Sequence, residues 1–287
     1  MHTHSTWIIT GATSGIGLAL AEAALEAGEN VVGTARRKQR FAPLIATGGD
    51  RFLGLEHDVR DTEAAPEVIA SAIEAFGAPT VLVNNAGVGQ VGAAEEVSDA
   101  ALRDMLAQHL FGPAALVRAA LPAMRDAGGG AIVQMSSQGG RGSFPGTGSY
   151  CAGKFALEGW SEALAGEVRP FGIKVLIVEP SRFRTGFNAP DVLRCASANP
   201  AYEGILAAMR ADMLDSDGRQ EGDPRRAAQV IRGVLGDPEA PLRLPLGSEA
   251  VRRLTAGYRS ALSEVERLAP LSVSADFPDA SASERPF

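Results

Sequence analysis

The stretch that leaves this chain the fewest folds runs from Trp7 to Ala27. A short apolar run, W-I-I-T (Trp7 to Thr10), passes directly into G-A-T-S-G-I-G (Gly11 to Gly17) and then into an Ala-rich helical stretch, Leu18 to Ala27. The order is strand, glycine turn, helix. Gly11 allows the sharp turn, Gly15 lets the backbone approach a pyrophosphate, and Gly17 lets the helix pack close to the strand. The first amides of the helix face the turn and suit an anion. The spacing is G-x-x-x-G-x-G, not the commoner G-x-G-x-x-G. A glycine turn without any ligand is the plain alternative.

Further apolar runs alternate with helical segments. Strands are predicted at Asn30 to Thr34, Phe52 to Glu56, Val81 to Asn84, Ala131 to Ser136 and Lys174 to Glu179, with a helix over Arg60 to Phe76 among those between them. Such alternation means a parallel sheet covered on both faces, and its ligands sit beyond the carboxyl ends of the strands. After Pro180 the pattern loosens. Residues 181 to 224 read as a long irregular segment with a helix near Tyr202 to Leu214, and loops of this length are usually functional or disordered. Helices follow at Pro224 to Leu235 and Ser248 to Ala269, and the Ala/Ser-rich tail, 274 to 287, reads as flexible. No repeat or second domain is evident, so residues 1 to 287 form one domain.

A second constellation stands at mid-chain. Tyr150 and Lys154 lie four residues apart in Y-C-A-G-K, and Ser137 lies thirteen residues before the Tyr at a strand end. Residues i and i+4 share a helix face, so the Lys charge is expected beside the Tyr oxygen, where it would favour the phenolate. A phenol, an ammonium and a hydroxyl can thus surround one carbonyl. Ser136, one residue away on a strand, faces the other way and reads as structural.

Composition excludes several classes. A net charge of −7 argues against nucleic acid or an anionic membrane as partner. M-H-T-H-S-T lacks the basic start of a signal peptide, and no apolar run is long enough to span a bilayer. Two cysteines, Cys151 and Cys195, give no disulfide framework and fit a reducing, cytoplasmic setting. Cys151 reads as a small buried hydrophobe. The four His include no H-x-x-x-H pair, so no metal site is predicted; His2 and His4 are expected to fray with the N-terminus.

From about Trp7 to Phe187 the chain resembles the short-chain dehydrogenase/reductase family. The resemblance rests on T-G-A-T-S-G-I-G (Thr10 to Gly17), H-D-V (His57 to Val59), N-N-A-G (Asn84 to Gly87), M-S-S (Met135 to Ser137), Y-C-A-G-K and V-E-P-S-R-F-R-T (Val178 to Thr185). The region after the Tyr is most similar to the branch of hydroxysteroid and retinol dehydrogenases and bacterial oxidoreductases. It implies an α/β Rossmann fold, a doubly wound parallel sheet with helices on both faces, a substrate-covering segment over residues 181 to 224, and an oxidoreductase acting on a ketone, an aldehyde or the matching alcohol.

Carried onto this chain, the resemblance gives Tyr150 the general acid/base role and makes Lys154 the residue that lowers its pKa and holds the nicotinamide ribose. Ser137 becomes the donor to the carbonyl oxygen. The dinucleotide would lie on Gly11, Thr13, Ser14, Gly15, Ile16 and Gly17, on Asp58 and Val59 at the adenine, on Asn85, Ala86 and Gly87, and on Pro180, Phe183 and Thr185 at the nicotinamide end. Asp58 is equally suited to capping the following helix. Relatives that use NAD commonly carry an acidic residue at the end of the second strand; here Ala35 stands there, followed by Arg36, Arg37 and Lys38. Three cations suit a 2′-phosphate, so NADP(H) is the expected cofactor and NAD(H) the lesser one. Solvated loop charges are the other reading.

Three departures stand out. The family's helical Asn is replaced by His109, which is expected to take its place and could titrate near pH 6.5. Gly153 replaces the more frequent Ser, and Ser181 the usual Gly. Two functions therefore stay open: an NADP(H)-dependent reductase, and a cofactor-binding protein without redox turnover in a regulatory or partner role. Gln138, Arg141, Phe144 and Phe187 are candidate pocket walls, and the family implies a homodimer or homotetramer.

Overall fold

The structure is a computed structural model that describes residues 5 to 189 and 192 to 280. His2, His4 and the end of the Ala/Ser-rich tail lie outside the described residues. The elements in chain order are β1 (Thr6–Thr10), α1 (Gly15–Glu26), β2 (Asn30–Ala35), α2 (Ala42–Gly48), β3 (Phe52–Glu56), α3 (Ala65–Phe76), β4 (Val81–Asn84), β5 (Gly89–Val91), α4 (Asp99–Leu106) and α5 (Gly112–Asp126). They continue with β6 (Gly130–Met135), α6 (Gly148–Val168), β7 (Ile173–Pro180), β8 (Leu193–Cys195), α7 (Glu203–Asp215), α8 (Pro224–Leu235), β9 (Arg243–Leu246) and α9 (Ser248–Val273).

Seven parallel strands form one sheet in the order β3-β2-β1-β4-β6-β7-β9. The order reverses between β1 and β4, which opens the crevice where such sheets bind ligands. Consecutive residues of a strand face opposite sides, and both sides are apolar. Ile9, Val31, Val83 and Val178 pack with α1 and α8 on one face. Ile8, Val32, Leu82 and Ile177 pack on the other with side chains of α3, α5 and α6. Each such burial stabilises by about 1.5–3 kcal/mol, so the register is fixed and the strand ends are held in line.

The predicted strands appear within a residue or so of their expected bounds, and the helix after the glycine turn starts earlier, at Gly15. Three differences matter. The helix expected from Arg60 begins only at Ala65, with Pro66 in its first turn; a proline has no N–H to donate inside a helix, so it marks the start. Strands β5 and β8 pair in parallel over the covering segment, Gly89 opposite Leu193. Finally β9, R-L-P-L, extends the sheet beside β7, its proline tolerated on an edge strand.

Candidate active site

Gly11, Thr13, Ser14, Gly15 and Ile16 line one wall of a cavity of about 890 Å³ above the strand ends. Gly11 and Gly15 have φ of 65° and 58°, a conformation that side chains resist. Gly17 does not reach the cavity: a Cβ there would meet the Gly11 carbonyl at 2.6 Å. Its absence lets α1 close onto the turn, as the sequence implies. Asn85 secures this turn from across the crevice, its side-chain amide donating to the Thr10 and Gly11 carbonyls at 2.9 and 3.3 Å. Thr10 Oγ1 in return accepts from the backbone N–H groups of Asn85 and Ala86. The Asn85 side chain is thus a brace, while Asn85, Ala86 and Gly87 still line the cavity.

Farther along, Arg36, Arg37, Asp58 and Val59 line the same cavity. Both arginines are exposed at the end of β2. Asp58 does not cap α3, whose N-cap position is Ala64. Its carboxylate instead accepts from Arg60 Nη2 at 2.5 Å and Nε at 2.9 Å, and this pairing lowers its pKa to about 2. Pro180, Phe183 and Thr185 supply the opposite end, with the Thr185 methyl close above Gly15.

Ser137, Tyr150 and Lys154 meet in the middle of this cavity. Ser137 sits in extended backbone just beyond β6, where its Oγ accepts from Gly139 N–H at 3.0 Å. Lys154, buried one turn after Tyr150 on α6, donates to the Met135 carbonyl at 2.7 Å. Its Nζ is 5.8 Å from the Tyr150 ring centre. The expected lowering of the phenol by the Lys charge is therefore not what this geometry produces. Enclosure pushes Tyr150 up to about 12, with a hydrogen bond from Ser137 acting the other way. Burial pulls Lys154 down to about 7, opposed by Glu158. Tyr150 is thus a neutral phenol, a proton donor, beside an amine whose burial disfavours its charged form. Ser136, expected to face the other way, also borders the cavity, but its hydroxyl is engaged in the structure and donates to the buried Glu158 at 2.6 Å.

His109 lies within a π-turn, Ala107–Phe111, that joins α4 to α5; such turns recur at functional sites. Its ring meets the Tyr150 ring edge-on, with centres 5.4 Å apart. Nε2 stands 3.0 Å from the Val88 carbonyl, an acceptor only, so that nitrogen carries the proton. Nδ1 is buried without a partner. Burial, with Lys154 nearby, holds the ring well below its ordinary pKa, so the expected titration near pH 6.5 does not hold and His109 stays neutral. Gly153 packs closely against it: a Cβ at 153 would lie 3.0 Å from His109 Cβ and 3.3 Å from Cδ2 of its ring. Ser181 is matched in the same way, because a Cβ at Gly247, whose φ is 93°, would strike its hydroxyl.

Of the expected pocket walls, Gln138, Phe144 and Phe187 line the cavity. Arg141 does not. Its Nε donates to Tyr258 Oη at 3.0 Å and its guanidinium stacks on that ring. Arg182, Asp212, Glu249 and Arg253 complete the mouth, and Gln90, Leu193, Met209 and Met213 the interior. Apart from Arg182, which follows β7, these come from β5, β8, α7 and α9, elements joined only by tertiary packing, so no local pattern announces them. Among the described residues no group of three or more His, Cys, Asp or Glu could hold a metal ion, and no helix is long and apolar enough to cross a membrane.

A family profile described as short chain dehydrogenase matches residues 5–194. The Oxidoreductase BOA17 of Botryotinia fuckeliana is 36% identical over 249 residues, covering 85% of this chain and 89% of that protein. The 3-ketodihydrosphingosine reductase of Bacteroides thetaiotaomicron is 34% identical over 242 residues, 84% of this chain and 87% of the relative. A solved short-chain dehydrogenase from Streptomyces avermitilis superposes with a TM-score of 0.89 at 44% identity, spanning 96% of this chain and 99% of its own.

Proposed function

Because this chain belongs to the short-chain dehydrogenase/reductase family and is an oxidoreductase of that family, we propose that it reduces a ketone or aldehyde with NADPH, or oxidises the matching alcohol with NADP. The family binds nicotinamide dinucleotides, and the fit to this chain rests on its own residues: a cradle of positive-φ glycines, and Arg36 and Arg37 where Ala35 leaves no carboxylate to repel a 2′-phosphate. The observation that carries the reading is the meeting of Ser137, Tyr150 and Lys154 in the cavity that those glycines and arginines also line.

The bound dinucleotide supplies hydride to the carbonyl carbon, or takes it in the reverse direction. Ser137 donates a hydrogen bond to the carbonyl oxygen as negative charge develops there. Tyr150, held as the neutral phenol, delivers the proton to that oxygen. Lys154 orients the ribose hydroxyls and replenishes the proton. The apolar side chains of Phe144, Phe187, Leu193, Met209 and Met213 favour a substrate with a sizeable uncharged body. Incubation with NADPH and a panel of ketones and aldehydes, followed by cofactor absorbance, tests this. Consumption by the wild type and none by Tyr150→Phe supports it. Tight NADPH binding with no turnover across the panel would favour the cofactor-binding role instead.

A further inference from the structure

The last helix poses a problem of its own, independent of the cavity's chemistry. Along α9 the apolar residues Val251, Leu254, Tyr258, Leu262, Val265, Ala269 and Val273 follow one another in steps of three, four, four, three, four and four. That is a repeat of about 3.67 residues per turn, which keeps them on one nearly straight stripe. The near end of the helix is docked. Ala250 and Leu254 are buried and Tyr258 is clasped by Arg141. Beyond that the stripe runs on uncovered, with Leu262 59%, Val265 67% and Val273 65% exposed. A long helix with one bare apolar face signals a missing neighbour.

The charges beside the stripe say what that neighbour is. One flank carries Arg252, Arg259 and Glu266, seven residues apart, basic toward the start and acidic toward the end. We propose that α9 packs antiparallel against α9 of a second copy of this chain, about a twofold axis near Leu262. This places Arg259 of each copy beside Glu266 of the other, a self-complementary contact made twice. A parallel, in-register pair would gather Arg252, Arg253 and Arg259 of both copies at one end, like charge against like. A net charge of −7 disfavours an anionic membrane as the occupant. The same helix places Glu249 and Arg253 in the cavity wall, so pairing would steady an element that also shapes the substrate site.

The experiment is sedimentation velocity with light scattering on the full chain, using circular dichroism to confirm that each variant is folded. Leu262→Asp should weaken assembly about a hundred-fold or more. Arg259→Glu alone and Glu266→Arg alone each set like charges together at both contacts, and should weaken it about ten-fold. An equimolar mixture of those two variants restores opposite charges at both contacts and should recover the wild-type association. A wild-type monomer at micromolar concentration would overturn the proposal, as would a mass unmoved by Leu262→Asp or a mixture that fails to recover. A monomer that sediments with phosphatidylglycerol vesicles would overturn it in favour of a lipid surface.

Discussion

The two walls of the cavity are built on different physics. The cofactor wall is made of strand ends and tight turns, held by backbone register and by short hydrogen bonds such as Asn85 to Thr10 and Lys154 to Met135. The substrate wall is hung from side chains. Arg182 pairs with Asp212 on α7, Arg210 with the buried Glu96, and Arg253 with Glu249 at 2.7 Å while lying over the Phe144 ring. A wall set by sheet register has one geometry, whereas a wall set by paired side chains can be retuned one pair at a time. The first suits a ligand shared by a whole family, the second one that differs from member to member.

That contrast can be broken most severely at its centre. Tyr150→Phe should lower turnover about 10²- to 10⁴-fold while leaving NADPH affinity within a few-fold, as read by steady-state kinetics and fluorescence titration. Lys154→Ala should lose both. Since burial places Lys154 at about 7, its ammonium is present below that pH and lost above it. NADPH affinity should therefore weaken as pH rises through about 7, and whatever weak affinity Lys154→Ala retains should stay flat over that range.

Next in size is the far end of the same wall. Arg36→Ala should weaken NADPH about ten- to hundred-fold, the worth of a charge-assisted bond of about 1.5–3 kcal/mol, and leave NADH nearly untouched. An equal loss for both cofactors would remove the 2′-phosphate contact from the argument.

The close pairs at the departures sharpen the comparison further, because each leaves little room between its two positions. Gly153→Ser should lower kcat about ten-fold by displacing His109 and with it the edge of the Tyr150 ring. His109→Asn should preserve activity and fold, and adding it to Gly153→Ser should restore only the share of the loss due to the imidazole ring, since Asn keeps the Cβ that the new side chain meets. If the double variant is no better than Gly153→Ser alone, the two positions are not coupled.

The smallest effect belongs to the substrate wall. Asp212→Ala leaves Arg182 only its longer contact to Glu249, at 3.9 Å, and should change KM a few-fold with kcat and NADPH affinity unmoved, as expected for a half-exposed ion pair. A comparable loss of cofactor affinity would mean that the two walls are not separable.

The same division decides what could be read in advance. Strands buried on both faces are written as apolar runs, so β1 to β4, β6 and β7 were legible, whereas β9 hides behind Arg243 and Pro245 and the three-residue β5 and β8 behind their brevity. The glycine turn, Asn85 and the Ser137, Tyr150 and Lys154 set were legible because local spacing determines their geometry. The titration of His109 and the influence of Lys154 on Tyr150 were misjudged for a common reason. Both depend on desolvation and on where a buried amine finds its acceptor, and spacing along a helix records neither. Arg253 and Met209 reach the cavity from distant elements, so sequence offered no signal for them.

The edge strand β9 has a consequence for how the chain comes to be made. Arg243 on it contacts Glu158 at 3.0 Å and Glu179 at 3.7 Å, two carboxylates otherwise sealed inside the protein, and burial and the neighbouring Glu158 push Glu179 above the usual carboxylate range. During synthesis from the N-terminus, β7 and α6 emerge well before β9. Until residue 243 arrives, the nascent domain has an open sheet edge and two acids without their counter-charge at the base of the Pro180 loop. A ribosome-bound chain that ends before β9 should therefore be the form most in need of a chaperone, and competence to bind the dinucleotide should appear late, when the last strand closes the sheet and neutralises its interior in the same step.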